Sequence, residues 1–336
     1  MDPETQAQAE AIGRSVGLFL REQRFLFAPF LQQESFLYWP YLASFVAIAA
    51  ILYLLRRERG SGRGLLDFLR STFPAAIYWS PSAKADYRFY FVNGVLFPSV
   101  FVPMILSAGW LSDRVQQFLS AQFGTRAPVF DDPTPAIVIY SLIFFVLYDF
   151  GRWVGHYVQH RSEILWEFHK VHHTAEVLTP MTSYRAHPVD LICMALFPAL
   201  FTGLASGLYN WSMGGAYGFY TVVGLHVGMV IYNLFANLRH SHIWLSYGRL
   251  SYLFISPAMH QIHHSTNPAH FGMNVGFALA IWDKAAGSLY VPEGRERFDL
   301  GIGDGTEPEW HSVRAMYFKP FVNLFTRYLG GRRTAG

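Results

Sequence analysis

Apolar residues along this chain gather into stretches about as long as the roughly 20 helical residues that cross a bilayer. Five such stretches stand out, 36–55, 91–110, 135–150, 191–209 and 216–238; the third is short and the fifth contains His226. Before the first, residues 10–24 set Ile12, Val16, Phe19 and Leu20 among charged positions at helical spacing, which predicts a helix lying in the membrane interface. Residues 64–87 mix Leu65, Leu66, Phe68 and Leu69 with Asp67, Arg70 and Lys84 and predict a second interfacial segment. The expected fold is all-α, a polytopic transmembrane helical bundle. No internal repeat or Pro/Ser-rich linker divides it, and the stretch after Trp282 is mixed and polar, so one structural domain is expected.

The basic run Arg56-Arg57-Glu58-Arg59-Gly60-Ser61-Gly62-Arg63 orients the bundle, because loops rich in arginine stay cytoplasmic. Alternation from there puts residues 112–132 outside. Residues 151–190 and everything after Arg239 fall in the cytoplasm, giving a histidine-rich helical cap on that side.

Composition supports the membrane reading. Only 15% of the 336 residues are charged, against about 25% in soluble domains, while 52% are hydrophobic and 17% aromatic. The net charge of +3 is dilute, with no basic stripe interleaved with aromatics, so nucleic acid is not an expected partner. A single cysteine, Cys193, excludes an internal disulfide and any CxxC site. The first ten residues are acidic and polar, so no cleavable signal peptide is expected.

The candidate chemistry lies in the histidines. His156 and His160 form an i,i+4 pair that shares one helix face. Two HxxHH boxes follow, His169-Lys-Val-His172-His173 and His260-Gln-Ile-His263-His264. In each box the first histidine shares a face with its i+3 and i+4 partners, while the two adjacent histidines diverge by about 100°, so one box can serve two neighbouring ions. Eight imidazoles suffice for two metals with about four nitrogens each and an open position. An all-histidine set with open positions suits a redox metal better than a closed structural zinc site, and the chain has no HExxH. A proton-sensing histidine cluster is the plainer alternative, but it requires many adjacent imidazoles to stay neutral without a metal.

These boxes resemble those of the fatty acid hydroxylase/sterol desaturase superfamily of integral-membrane di-iron oxygenases. The likeness runs from Asp149 to about Pro292. It is carried by the run from His160 to His173, by Arg185-Ala-His187-Pro188, by Pro257-Ala-Met-His260-Gln-Ile-His263-His264 and by Trp282-Asp283, with a weaker echo in Ser82 and Asp86. The resemblance implies a catalytic region over 136–292, preceded by interfacial helices and the first two spans in 1–135 and followed by a cytoplasmic tail in 293–336. It implies two iron ions that activate dioxygen, bound by His156, His160, His169, His172, His173, His260, His263 and His264. It also implies a further ligand just before the last box, best matched by His240, with His242 the rival.

Around the site, Asp149 could accept the outer N–H of a ligand imidazole, and His187 could support the centre or join it. Glu176 and Asp283 are weaker candidates of the same kind. His226, 14 residues before His240, reads as a hydrogen-bonded histidine between spans, and His270 and His311 as ordinary polar positions. The expected activity is hydroxylation of an unactivated C–H bond in a lipid, with desaturation the alternative. The lipid classes are sterol, fatty acyl, ether lipid or aminolipid. Dioxygen is co-substrate, and a separate donor of the ferredoxin or cytochrome b5 type supplies two electrons. Zinc could replace iron in purified protein. The Arg-over-Lys bias favours a bacterial inner membrane over an endoplasmic reticulum. A b-type cytochrome with haems on His226 and His240, or a metal transporter, leaves the HxxHH boxes unexplained or misplaced.

Overall fold

In a computed structural model, which describes residues 29–55, 64–96 and 107–328, the chain is mostly helical. The principal helices are α1 (Trp39–Leu55), α2 (Leu65–Thr72), α3 (Pro81–Leu96), α4 (Ala108–Phe123), α5 (Thr134–Arg161) and α6 (Glu163–His173). They continue with α7 (Pro188–Met213), α8 (Val227–Arg239), α9 (Pro257–His263), α10 (Ile281–Ala286) and α11 (Val313–Tyr328). A two-stranded antiparallel hairpin, β1 (Thr221–Val222) and β2 (Leu225–His226), is the one sheet among the described residues. The interfacial helix expected over 10–24 and the basic run 56–63 lie outside the described residues.

Helices α5 and α7 form the spine. Both are long and apolar enough to cross a membrane, and they pack against each other along most of their length. Close approach is built into the sequence: a Cβ on Gly151 of α5 would sit 2.5 Å from the Pro198 Cα of α7. On its other flank α7 meets α4 through Gly207, where an added Cβ would fall 2.5 Å from Val115 Cβ. Outward positions of α5 such as Val138, Ile139 and Leu142 are exposed and apolar, as a lipid-facing surface requires.

Helix α5 does not stop where the apolar stretch 135–150 ends. It runs 28 residues, about 42 Å, and so carries His156 and His160 about two and three turns beyond its apolar segment. Ser162 then ends it and caps α6, its Oγ accepting the Leu165 N–H. The stretch 91–110 is divided between α3 and α4, with 97–106 outside the described residues.

The stretch 216–238, expected as a single span, is not one helix. Gly214 ends α7 in the left-handed conformation, the β1–β2 turn holds Val223 at φ 49° and Gly224 at φ 82°, and only the 13 residues of α8 are helical. Hydropathy registers the apolar side chains but not these turns. His226 caps α8 by accepting the Gly228 N–H at Nδ1, and its Nε2 donates to the Ser141 carbonyl of α5 at 2.9 Å. The hydrogen bond to a neighbouring span expected of His226 is therefore present. The hairpin and α8 together bring the chain back to the histidine end of α5.

The region after residue 293, expected as a polar tail, packs into the protein as far as Tyr328. Met316 of α11 is fully buried with Ala85, Phe89, Val171 and Trp310. The buried Glu167 of α6 accepts Asn323 Nδ2 at 2.9 Å and faces Arg327 at 3.5 Å.

Candidate metal centre

Three helix ends converge where α5 leaves its apolar segment. The C-terminal turns of α5, α6 and α9, joined by the residue after α8, bring nine imidazoles together in two groups. His156, His160, His169, His173 and His263 form one group; His172, His240, His260 and His264 form the other, and in each the donor atoms lie within 4.8 Å of one another. These nine are the positions singled out from the sequence. The divergence of adjacent histidines is realised: His172 and His173 go to different groups, as do His263 and His264. Each box contributes its i,i+4 pair to one group and its middle histidine to the other.

The nitrogens are spaced as ligands of a shared ion. In the five-imidazole group His156 Nε2 lies 3.0, 3.2 and 3.1 Å from the Nε2 atoms of His169, His160 and His263. In the four-imidazole group the Nε2 contacts are His240–His172 at 3.2 Å, His260–His240 at 3.0 Å and His264–His260 at 3.3 Å. Nitrogens about 2.1 Å from one ion and about 90–105° apart are separated by about 3.0–3.3 Å. Hydrogen bonding cannot account for the pattern, because a ring nitrogen carries either one proton or one lone pair, and His156 Nε2 has three such neighbours. The donor set fits two transition-metal ions.

The outer nitrogens are held so that most Nε2 atoms point inward. His156 Nδ1 donates to the Val275 carbonyl at 2.6 Å, His263 Nδ1 to Met273 O at 2.7 Å and His172 Nδ1 to Arg185 O at 3.2 Å. Ser183 Oγ lies 2.9 Å from His240 Nδ1, and Asp190 Oδ1 lies 3.3 Å from His169 Nδ1. Such partners fix tautomer and ring orientation. His260 differs: its Nδ1 accepts from Arg239 Nη2 at 2.8 Å, so its neutral ring carries the proton on Nε2, and ligation there requires that proton to leave.

Burial, reinforced by neighbouring imidazoles, lowers the pKa of His172 to about 4 and of His263 to about 3, and holds His173, His240, His260 and His264 well below the usual histidine value. Neutral rings offer lone pairs. In the unfolded chain the same rings take up protons near pH 6.5, so the unfolded state binds more protons from there down to about 4 for His172 and about 3 for His263. The metal-free protein is therefore expected to lose stability progressively on acidification through that window. A melting temperature unchanged between about pH 7.5 and about pH 4.5 would contradict this.

The remaining candidates lie outside both groups. Asp149 touches no imidazole. Its carboxylate accepts the N–H groups of Ala278 and Leu279 and Trp282 Nε1, so it anchors the 278–282 segment to α5. His242 reaches the Ser71 carbonyl at 2.8 Å, away from the centre, while His240 joins it. His187 caps α7 through the Val189 N–H and faces Tyr317 O at 3.2 Å. Glu176 pairs with His311 at 2.5 Å, and His270 lies 3.3 Å from Glu296. Asp283 accepts the N–H groups of Val275 and Gly276, holding the loop whose carbonyl receives His156.

Asp190 and Arg239, which touch the outer nitrogens of His169 and His260, are the candidate residues that sequence reasoning missed. An acid in the first turn of α7, two residues past the quoted Arg185–Pro188 motif, and an arginine adjoining His240 were the available signals.

The centre forms part of the wall of a cavity of about 590 Å³, which His156, His169, His172, His240 and His260 line together with Tyr90, Phe91, Leu191, Met194 and Phe277. That size and apolar character are those of a small-molecule site.

Residues 141–288 match the family model for fatty acid hydroxylase. An ornithine lipid hydroxylase, OlsE, of Rhizobium tropici is 28% identical over 47% of this chain and 44% of its own. The alkylglycerol monooxygenase of Xenopus tropicalis is 25% identical over 46% of this chain and 31% of its own. A delta(7)-sterol 5(6)-desaturase, erg3B, of Aspergillus fumigatus is 30% identical over 47% of this chain and 41% of its own. The matched region thus spans less than half the length of these relatives. No solved structure matches the chain.

Proposed function

From the premise that this chain carries a domain of the fatty acid hydroxylase/sterol desaturase superfamily, we propose that it is a membrane-bound di-iron oxygenase that hydroxylates an unactivated C–H bond of a lipid. The observation that carries the reading is the convergence of nine imidazoles, five on one point and four on another, in the wall of an apolar cavity. The residues proposed to hold the irons are those nine. Two irons bound there would supply the reduction of dioxygen by two external electrons and the removal of hydrogen from carbon.

The chain's own residues do the rest. Val275, Met273 and Arg185 carbonyls and Asp190 orient the imidazoles, while Phe91, Leu191, Met194 and Phe277 exclude water and hold the hydrocarbon against His156, His172 and His240. Helices α5 and α7 would span the bilayer within a polytopic bundle and place the centre at its cytoplasmic surface, as the Arg56–Arg63 charge favours. A bacterial inner membrane and a separate ferredoxin or cytochrome b5 type donor complete the proposal. Desaturation stands as the second reading, favoured by the similarity to the sterol desaturase.

The test is turnover of cell lipids by iron-loaded enzyme with a reducing system under labelled dioxygen. Hydroxylation adds about 16 Da, with the oxygen drawn from dioxygen, and desaturation removes about 2 Da. Turnover under strict anaerobiosis, or product oxygen taken from water without exchange, overturns the oxygenase reading.

A further inference from the structure

We infer that Arg152, backed by the charge of Arg239, binds an anionic oxygen group, carboxylate or phosphate, on the lipid substrate; this rests on the lipid-oxidising reading above. Among the described residues lining the large cavity, these two are the lysine or arginine side chains present, and Asp190 is the acid. Both guanidinium groups lie against one ring, with Cζ 4.7 Å (Arg152) and 5.9 Å (Arg239) from the Phe277 centroid.

Neither cation has a carboxylate partner. Arg239, 5% exposed, spends Nη1 on Tyr232 Oη and Phe277 O and Nη2 on Gly276 O and His260 Nδ1, and its Nε has no partner. Arg152 makes one hydrogen bond, Nη1 to Met194 O at 3.2 Å, and its Nε is likewise buried without a partner. The nearby acids are occupied elsewhere. Asp149 is held by two backbone N–H groups and Trp282, and Asp190 faces His169 at 3.3 Å.

Burying a cation such as Arg239 without a counter-charge is costly even after relaxation, and contact with aromatic rings offsets only part of that cost. An anionic ligand supplies what the protein withholds. Arg239, its four Nη N–H groups already spent, adds charge alone, whereas Arg152 keeps its Nη2 N–H donors, which match carboxylate and phosphate oxygens. The hydrocarbon has its place beside it, on the Phe91, Leu191 and Met194 wall against the histidines, and Arg152, Leu191 and Met194 also line a second cavity of about 370 Å³ between α5 and α7, otherwise walled mainly by apolar groups such as Ala195, Pro198 and Phe144, with room for the rest of the chain.

The experiment is titration calorimetry of the iron-loaded protein in a neutral maltoside detergent, with probes that share a twelve-carbon chain: dodecanoate, dodecyl phosphate, dodecanol and dodecyltrimethylammonium. At least one anionic probe is expected to bind about ten-fold or more tightly than dodecanol, as charge-assisted hydrogen bonds allow, and the tighter of the two anions names the headgroup chemistry. Arg152→Gln should remove that preference with iron content and dodecanol affinity unchanged, and Arg152→Lys should retain part of it. Equal affinity for anionic, neutral and cationic probes in the iron-loaded wild type overturns the inference whatever the variants do. The oxygenase reading stands or falls separately, on the dioxygen label.

Discussion

His172→Ala is expected to leave the protein folded with about half its iron and to lower lipid oxidation by more than about 100-fold, beyond the 10–100-fold that residues merely supporting a ligand typically cost. His172 contributes to the four-imidazole group alone, its Nε2 lying 3.2 Å from that of His240. Its loss leaves His240, His260 and His264, and His260 already has a guanidinium behind its ring. The other group keeps all five members. Iron per protein, measured beside turnover, separates this outcome from general unfolding. His311→Ala is the control, since that ring pairs with Glu176 outside the centre, and it should leave both quantities unchanged. Full activity in His172→Ala would sink the ligand assignment.

The largest loss of stability should follow from Arg185→Met. Arg185 and Asp86 are both fully buried and paired at 2.8 Å. The guanidinium also donates to the carbonyls of Val171, Thr174 and Trp310 and to Thr174 Oγ1, joining α3, α6 and the segment before α11. Removing it strands the Asp86 carboxylate in the core at a cost of about 3–5 kcal/mol. Because the Arg185 carbonyl receives His172 Nδ1, metal retention should fall as well. The double variant Asp86→Leu with Arg185→Met should recover part of the stability, since no charge is then left unpaired. Denaturant unfolding measures both, and a loss below about 1 kcal/mol in Arg185→Met would show that the pair is not structural.

The histidine groups were legible in the sequence because i,i+4 spacing fixes a helix face whatever the surroundings. That argument needs no tertiary information, and it holds for His156 with His160, for His169 with His173 and for His260 with His264. The role expected of Asp149 was not legible. Seven residues, two helical turns, put it on the His156 face, but backbone N–H groups of Ala278 and Leu279, 129 and 130 residues away, take its oxygens. Asp190 escaped notice because only the folded chain sets it 3.3 Å from His169. The stretch 216–238 misled because an apolar average is blind to the backbone reversal at Val223 and Gly224.

The exchange of middle histidines between the two boxes bears on how the centre assembles. The first ion to bind at the five-imidazole point would immobilise α6 through His169 and His173 and α9 through His263, and those same helices carry His172, His260 and His264 for the other point. The ordering entropy of three of the four remaining ligands is then already spent. Loading should accordingly be cooperative, with singly occupied protein scarce at every iron concentration, and a chelator should strip the two ions together rather than in sequence.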